Sequence, residues 1–194
     1  MPLITRRRTL LAGLAAGALA SAWSAVGAQD LPALLRHGGV VAAFRHALAP
    51  GTFDPPELAL GNCATQRNLS DEGRTQARAI GAWFGTRGLR PARVRSSPWC
   101  RCMDTATLAF GSAQRWDALG SPTGTSIETR AAQLRELHEA LAAVARNRGA
   151  FEVWVTHMFV IADLTGQNTE SGDGVLLAAG SGGRAQVLAR LDLV

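Results

Sequence analysis

The chain has 194 residues, 47% of them hydrophobic and 18% charged, enough for one α/β domain with a sizeable core and short for two. That balance excludes a disordered chain and a multi-spanning membrane protein. All 20 basic residues are arginine; the net charge of +5 falls to +2 without Arg6, Arg7 and Arg8, and the remaining arginines are scattered, which argues against a nucleic-acid partner.

The first segment reads as an address. TRRRTLL at residues 5–11 is followed by an apolar, small-residue run from Leu10 to Val26, the pattern of a signal peptide. The adjacent arginines and the weak hydrophobicity of a Gly/Ala-rich run look like the bacterial twin-arginine signal. Val26-Gly27-Ala28 is a cleavage site of the small-residue type, with no cysteine after it for a lipid anchor. The expected organisation is therefore a signal peptide over 1–28 and one domain over 29–194. The expected destination is the periplasm, with the export machinery as a partner and no membrane anchor after cleavage.

From Leu31 the sequence alternates β-rich runs with amphipathic stretches. LPALLRHGG predicts a short helix stopped by Gly38 and Gly39. Val40 to Phe44 is a continuous apolar run, the mark of a strand buried on both faces. A loop rich in proline and glycine follows. Ser70 then opens a helix whose first turn holds Asp71 and Glu72 and whose apolar face is Ala77, Ile80, Trp83 and Phe84. Arg93 to Ser96 predicts a second strand, Asp104 to Phe110 a helix ended by Gly111, and Glu128 to Arg148 a long helix ended by Gly149. Residues 115–127 carry no clear pattern. Phe151 to Thr156, Val175 to Ala178 and Gln186 to Leu193 predict three more strands. The fold class is α/β: a three-layer sandwich with a mostly parallel sheet of about five or six strands and helices on both faces.

Open α/β sheets bind ligands at the carboxyl ends of their strands. Here the first strand ends in Arg45-His46, the second leads through SSPWC to Arg101, and a third ends in Thr156-His157. Two arginine forks can grip phosphate oxygens bidentately. Their charge favours a neutral imidazole, whose lone pair can attack phosphorus, while a second histidine donates to the transferring group. The reaction also needs an acid for the leaving oxygen. Arg67 and Asn68 stand before a helix N-terminus that can face an anion. Three cysteines leave one thiol over in an oxidising compartment: Cys63 can pair with Cys100 or with Cys102. Cys100-Arg101-Cys102 lacks the spacing of a zinc site, so no metal is expected.

The blocks FRHALAPG, CATQRNLSDEGRTQARAIGAWF, SSPWCRCMDTATLAFG and VTHMFVIADLTG resemble the histidine phosphatase superfamily, which includes the cofactor-dependent phosphoglycerate mutases. Their order looks closest to an exported bacterial branch. The resemblance implies a phosphomonoester hydrolase acting on a small phosphorylated substrate, without metal or organic cofactor. It makes His46 the phosphorylated nucleophile, Arg45 and Arg101 phosphate ligands and His157 the residue that completes the pocket. Arg36-His37-Gly38 matches the family's motif literally, but no strand pattern precedes it, whereas VVAAF precedes Arg45-His46. For the acid, the resemblance offers Asp173, where the branch carries glutamate, or Glu128 or Asp117 in the segment after Arg101. Asp173, one methylene shorter, and Val160, apolar where a polar residue is expected, depart from the branch. Two rival functions remain: a phosphomutase, and a silent module that binds a phosphate ligand without turning it over.

Overall fold

The computed structural model describes residues 31–193, so the signal-peptide expectation lies outside the described residues. A six-stranded sheet runs through the domain. In chain order its strands are β1 (Val40–Arg45), β2 (Arg93–Ser96), β3 (Gln114–Arg115), β4 (Phe151–Thr156), β5 (Gly174–Ala179) and β6 (Ala185–Leu191). Their spatial order is β3-β2-β4-β1-β5-β6. The pairs β3–β2, β2–β4 and β4–β1 are parallel, while β5 runs antiparallel to both β1 and β6. The helices are α1 (Leu31–His37), α2 (Asp71–Gly85), α3 (Cys100–Phe110), α4 (Ile127–Ala145) and α5 (Met158–Thr165).

The three layers follow from side-chain alternation in the central strands. Val40, Ala42 and Phe44 of β1 join Val153 and Val155 of β4 in one core with α1, α2 and α3. Val41 and Ala43 turn to the other face, where Trp154 meets Leu137 and Leu141 of α4 and Ile161 and Leu164 of α5. Both faces of β1 and β4 are covered, which is why their sequences read as unbroken apolar runs. Val160 lies in the second core, 4% exposed. Its apolar character therefore serves packing. Among the described residues no helix is long and apolar enough to cross a membrane.

The last two strands shift by one or two residues at their ends, and three stretches depart further from the sequence expectation. The helix expected from Asp104 begins at Cys100, so Arg101 sits on its first turn. The unpatterned segment holds the two-residue strand β3 and a turn of 3₁₀ helix over Asp117–Leu119. The long helix spans Ile127–Ala145 and ends before Arg148. Ser70 caps α2 as expected, its hydroxyl accepting from Gly73 N.

Helix α2 also seats the chain that leaves β1. A Cβ on Gly73 would lie 2.1 Å from Leu48 O, and one on Gly81 would lie 2.1 Å from Ala109 O of α3. With Ala77 between them, these small residues at a spacing of four let both backbones approach α2 closely. Ser70 N donates to Leu48 O at 3.1 Å, and Leu48 N donates to Gln76 Oε1 at 3.0 Å. The loop after His46 is thereby held from both directions.

Candidate active site

Three adjacent parallel strands deliver the site. Arg45 is the last residue of β1 and pairs with Thr156, the last of β4. His46 N then donates to Thr156 O at 2.9 Å, and on the other side of β4 Ser97 N donates to Val155 O at 2.9 Å. His46, Ser97 and His157 thus emerge together at one sheet edge. The two imidazoles lie 5.6 Å apart, centroid to centroid, in an edge-to-face arrangement. Both are 3% exposed.

They open into a cavity of about 670 Å³ that Arg45, Arg67 and Arg101 also line, a size within the range of small-molecule sites. Each of these arginines has a buried Nε–H with no acceptor among the described residues. Such donors are costly to leave unmatched, and an anion would supply what they lack. The remaining arginine contacts hold the forks in place. Arg45 Nη1 donates to Thr169 O at 2.9 Å, Arg67 Nη1 donates to Gly51 O, and Arg101 is bound by Asp54.

The state of His46 is set by its neighbour. Nδ1 lies 2.8 Å from Ala47 O; a carbonyl only accepts, so Nδ1 carries the proton and Nε2 keeps its lone pair. Burial pushes the imidazole pKa down to about 3. The bond to Ala47 O works the other way, and the charges of Arg101, Arg45 and Arg67 add to the lowering. His157 is lowered as well, first by burial and then by Arg101. Its Nε2 lies 2.8 Å from Ser97 Oγ and its Nδ1 3.4 Å from Arg101 Nη2. Arg45 and Arg67 are themselves lowered, chiefly by burial, yet a guanidinium remains charged at any working pH.

No family model matches the chain, and no curated protein sequence matches it. Solved structures do. The alpha-ribazole phosphatase from Shigella flexneri is similar with a TM-score of 0.60 at 11% identity, over 80% of this chain and 97% of that one. The protein histidine phosphatase SixA complexed with tungstate is similar with a TM-score of 0.52 at 19% identity, over 78% and 96%. A phosphoserine phosphatase mutant from Entamoeba histolytica in complex with phosphoserine gives 0.56 at 12% identity, over 79% and 97%. The fold is that of the histidine phosphatases.

Within this histidine phosphatase fold, the structure brings together His46, His157, Arg45, Arg101 and Arg67. It does not bring Asp173 to them. Asp173 is outside the cavity lining, its carboxylate 3.9 Å from Arg190 on β6, while its backbone carbonyl accepts from Arg45 N. Its charge is felt by Arg45, and its carboxylate faces Arg190 of β6. Glu128 is exposed in the first turn of α4, its carboxyl held low by its own backbone N–H and by Ser126. Asp117 is 84% exposed and paired with Arg115 at 3.5 Å. His37 closes α1 at the far end of β1, exposed beside Arg148.

The carboxylate the cavity does contain is Asp54, from the loop after His46. Arg101 Nη1 donates to its Oδ1 at 2.7 Å and Nη2 to its Oδ2 at 3.1 Å. Sequence reasoning missed this residue, and FDPPE marks a stiff turn without saying what the aspartate faces. It also missed Ser97, although the SSP run beyond β2 placed a hydroxyl at the right strand end. Cys63 pairs with Cys100, with their Cα atoms 5.7 Å apart, and this ties the Asp54 loop to the helix carrying Arg101. Cys100 is therefore no metal ligand. Cys102 is a buried thiol whose pKa burial raises to about 12.

The depressed pKa gives a direct test. Unfolded His46 takes up a proton near 6.5 and the folded ring only near 3, so acidification between those values favours the unfolded chain. Above it the native ring stays neutral. In an NMR titration of the ligand-free protein, the His46 imidazole should hold its neutral shifts from pH 7 to pH 5. A ring that titrates near 6.5 would contradict this geometry.

Proposed function

We propose that the protein is a phosphomonoester hydrolase that works through a phosphohistidine on His46. The observation that carries this reading is the bond from His46 Nδ1 to Ala47 O at 2.8 Å. It leaves an unprotonated Nε2 beside three arginines, a nucleophile set next to phosphate ligands. Phosphate accepts from the unpartnered Nε–H groups of Arg45, Arg67 and Arg101, while Asp54 keeps Nη1 and Nη2 of Arg101. Nε2 attacks phosphorus and the ester oxygen leaves with the bonding pair. Arg101 Nη2, which only donates, lies 3.4 Å from His157 Nδ1, so the second ring's proton sits on Nε2 toward Ser97 Oγ and the neutral ring holds the Arg101 guanidinium in place. Water releases phosphate from His46 in a second step. The names of the structural neighbours support a phosphatase over the mutase alternative.

The Asp54–Arg101 pair favours the second reading, a silent phosphate-binding module, because both oxygens of the only carboxylate in the cavity lining among the described residues are spent on the arginine. Kinetics separate the two. His46→Ala should lower kcat on an aryl phosphate by about a thousandfold or more, while His37→Ala should stay within about twofold of the parent. Equal loss in both variants, with the fold intact by circular dichroism, would sink the assignment of His46. Tight phosphate binding with no turnover in the parent would establish the silent module.

Export to the periplasm through a twin-arginine signal is part of the proposal. The disulfide Cys63–Cys100 supports an oxidising destination, and residues 1–28 carry the signal pattern. Changing Arg6, Arg7 and Arg8 together to lysine should leave uncleaved precursor in the cytoplasm, since either adjacent pair of arginines can serve. Normal maturation of that variant would contradict the route.

A further inference from the structure

We propose that the cavity is built for small phosphate monoesters whose leaving group is an aromatic ring, an assignment that rests on the phosphatase reading above. Its floor and its walls differ in chemistry. The floor is the histidine pair and the arginines, which fix the phosphate. The walls are Phe53, Leu58, Trp99, Met158 and Phe159. Phe53 is 79% exposed and Phe159 48% exposed, so two large rings face solvent at the mouth of a cationic pocket. Trp99 stands edge-on to His157, with centroids 5.2 Å apart, and so links wall to floor.

With phosphate held at the floor, the walls meet the rest of the ester. Besides the hydroxyls of Thr52, Ser121 and Thr123, of which Ser121 donates to Thr123 at 3.1 Å, and the Nε1–H of Trp99, they present aliphatic and aromatic surface and no free charge. A sugar or glycerol body has more hydroxyls than these few groups can pair, and would leave the rest against apolar surface at a cost. An aromatic ring would cover the phenylalanines and stack edge-to-face or offset on them.

The acid chemistry points the same way. Among the described residues Asp54 is the only carboxylate lining the cavity, and Arg101 holds both its oxygens. An alkoxide needs a proton as it leaves; a phenol-type oxide, with a conjugate pKa of about 10 as in tyrosine, departs far more readily without one. In the step proposed, His46 Nε2 bonds to phosphorus while the P–O(aryl) bond breaks, and its electron pair stays on the aryl oxide. Water then attacks phosphorus and the N–P bond breaks, returning the pair to Nε2. Of the two protons of that water, one ends on the phosphate and one, through solvent, on the phenol.

The test is a substrate panel on the mature protein: phenyl phosphate, 1-naphthyl phosphate, glycerol 2-phosphate and glucose 6-phosphate. Phenyl phosphate should exceed glycerol 2-phosphate in kcat/KM by about a hundredfold. 1-Naphthyl phosphate, with a leaving group of similar acidity and more apolar area, should have a KM about fivefold below that of phenyl phosphate. Phe53→Ala and Phe159→Ala should each erase that KM ratio. Ile127→Ala, an 82% exposed apolar side chain away from the cavity lining, should keep it. Equal turnover of glycerol 2-phosphate, or a KM ratio that is absent or survives both phenylalanine variants, overturns the proposal. A phosphotyrosine peptide preferred over phenyl phosphate would overturn the small-molecule assignment. Phosphoramidate separates the two levels. If the parent hydrolyses it, His46→Ala does not, and the panel shows no aryl preference, the phosphatase reading stands and this inference falls. If no phosphorylated compound is turned over, both fall.

Discussion

The site depends first on the register between β1 and β4. The parallel ladder pairs Arg45 with Thr156 and continues one bond further, from His46 N to Thr156 O at 2.9 Å. Side chains alternate along a strand, so a slip of one residue would turn the histidine from the cavity to the opposite face. The apolar runs of β1 and β4, buried on both sides, exclude that slip. β2 repeats the arrangement on the other side of β4, where Ser96 pairs with Val155 and Ser97 follows. His46, His157 and the hydroxyl partner of His157 are therefore placed by backbone hydrogen bonds between neighbouring strands, not by a flexible loop.

Electrostatics then decides what those side chains can do. Three guanidiniums around two buried imidazoles would be costly if the rings were charged, and both are held neutral by burial and by that positive field. In the proposed phosphatase, the charge that attracts a phosphate and the neutrality that lets it be attacked have one origin. Asp54 balances part of this field by taking the Arg101 fork. The loop that carries it is tied to α3 by Cys63–Cys100 and seated on α2 through Leu48.

The central strands were legible because burial on two faces leaves an apolar run in the sequence, as in Val40 to Phe44 and Phe151 to Thr156. His46 and His157 could be singled out because each stands just beyond such a run, and the same argument set His37 aside. Residues placed by loops were not legible. Asp54 meets Arg101 across 47 residues, and nothing local marks that partner over Asp173, Glu128 or Asp117. The start of α3 was misplaced because Arg101 is buried on its first turn. A charged residue on the core side breaks the apolar periodicity that announces a helix. The choice between Cys100 and Cys102 as partner of Cys63 was hidden for the same reason, since helix phase decides which thiol faces the loop.

In the proposed reaction Nε2 of His46, and not His157, takes up the phosphoryl group. Rapid acid-free quenching during turnover of an aryl phosphate, followed by mapping of the acid-labile phosphate by peptide mass spectrometry, tests it most directly. One phosphoryl group should appear on the peptide containing His46, linked through Nε2 by ³¹P NMR and absent from His46→Ala. Label on His157, or turnover with no phosphorylated histidine at any quench time, would contradict it.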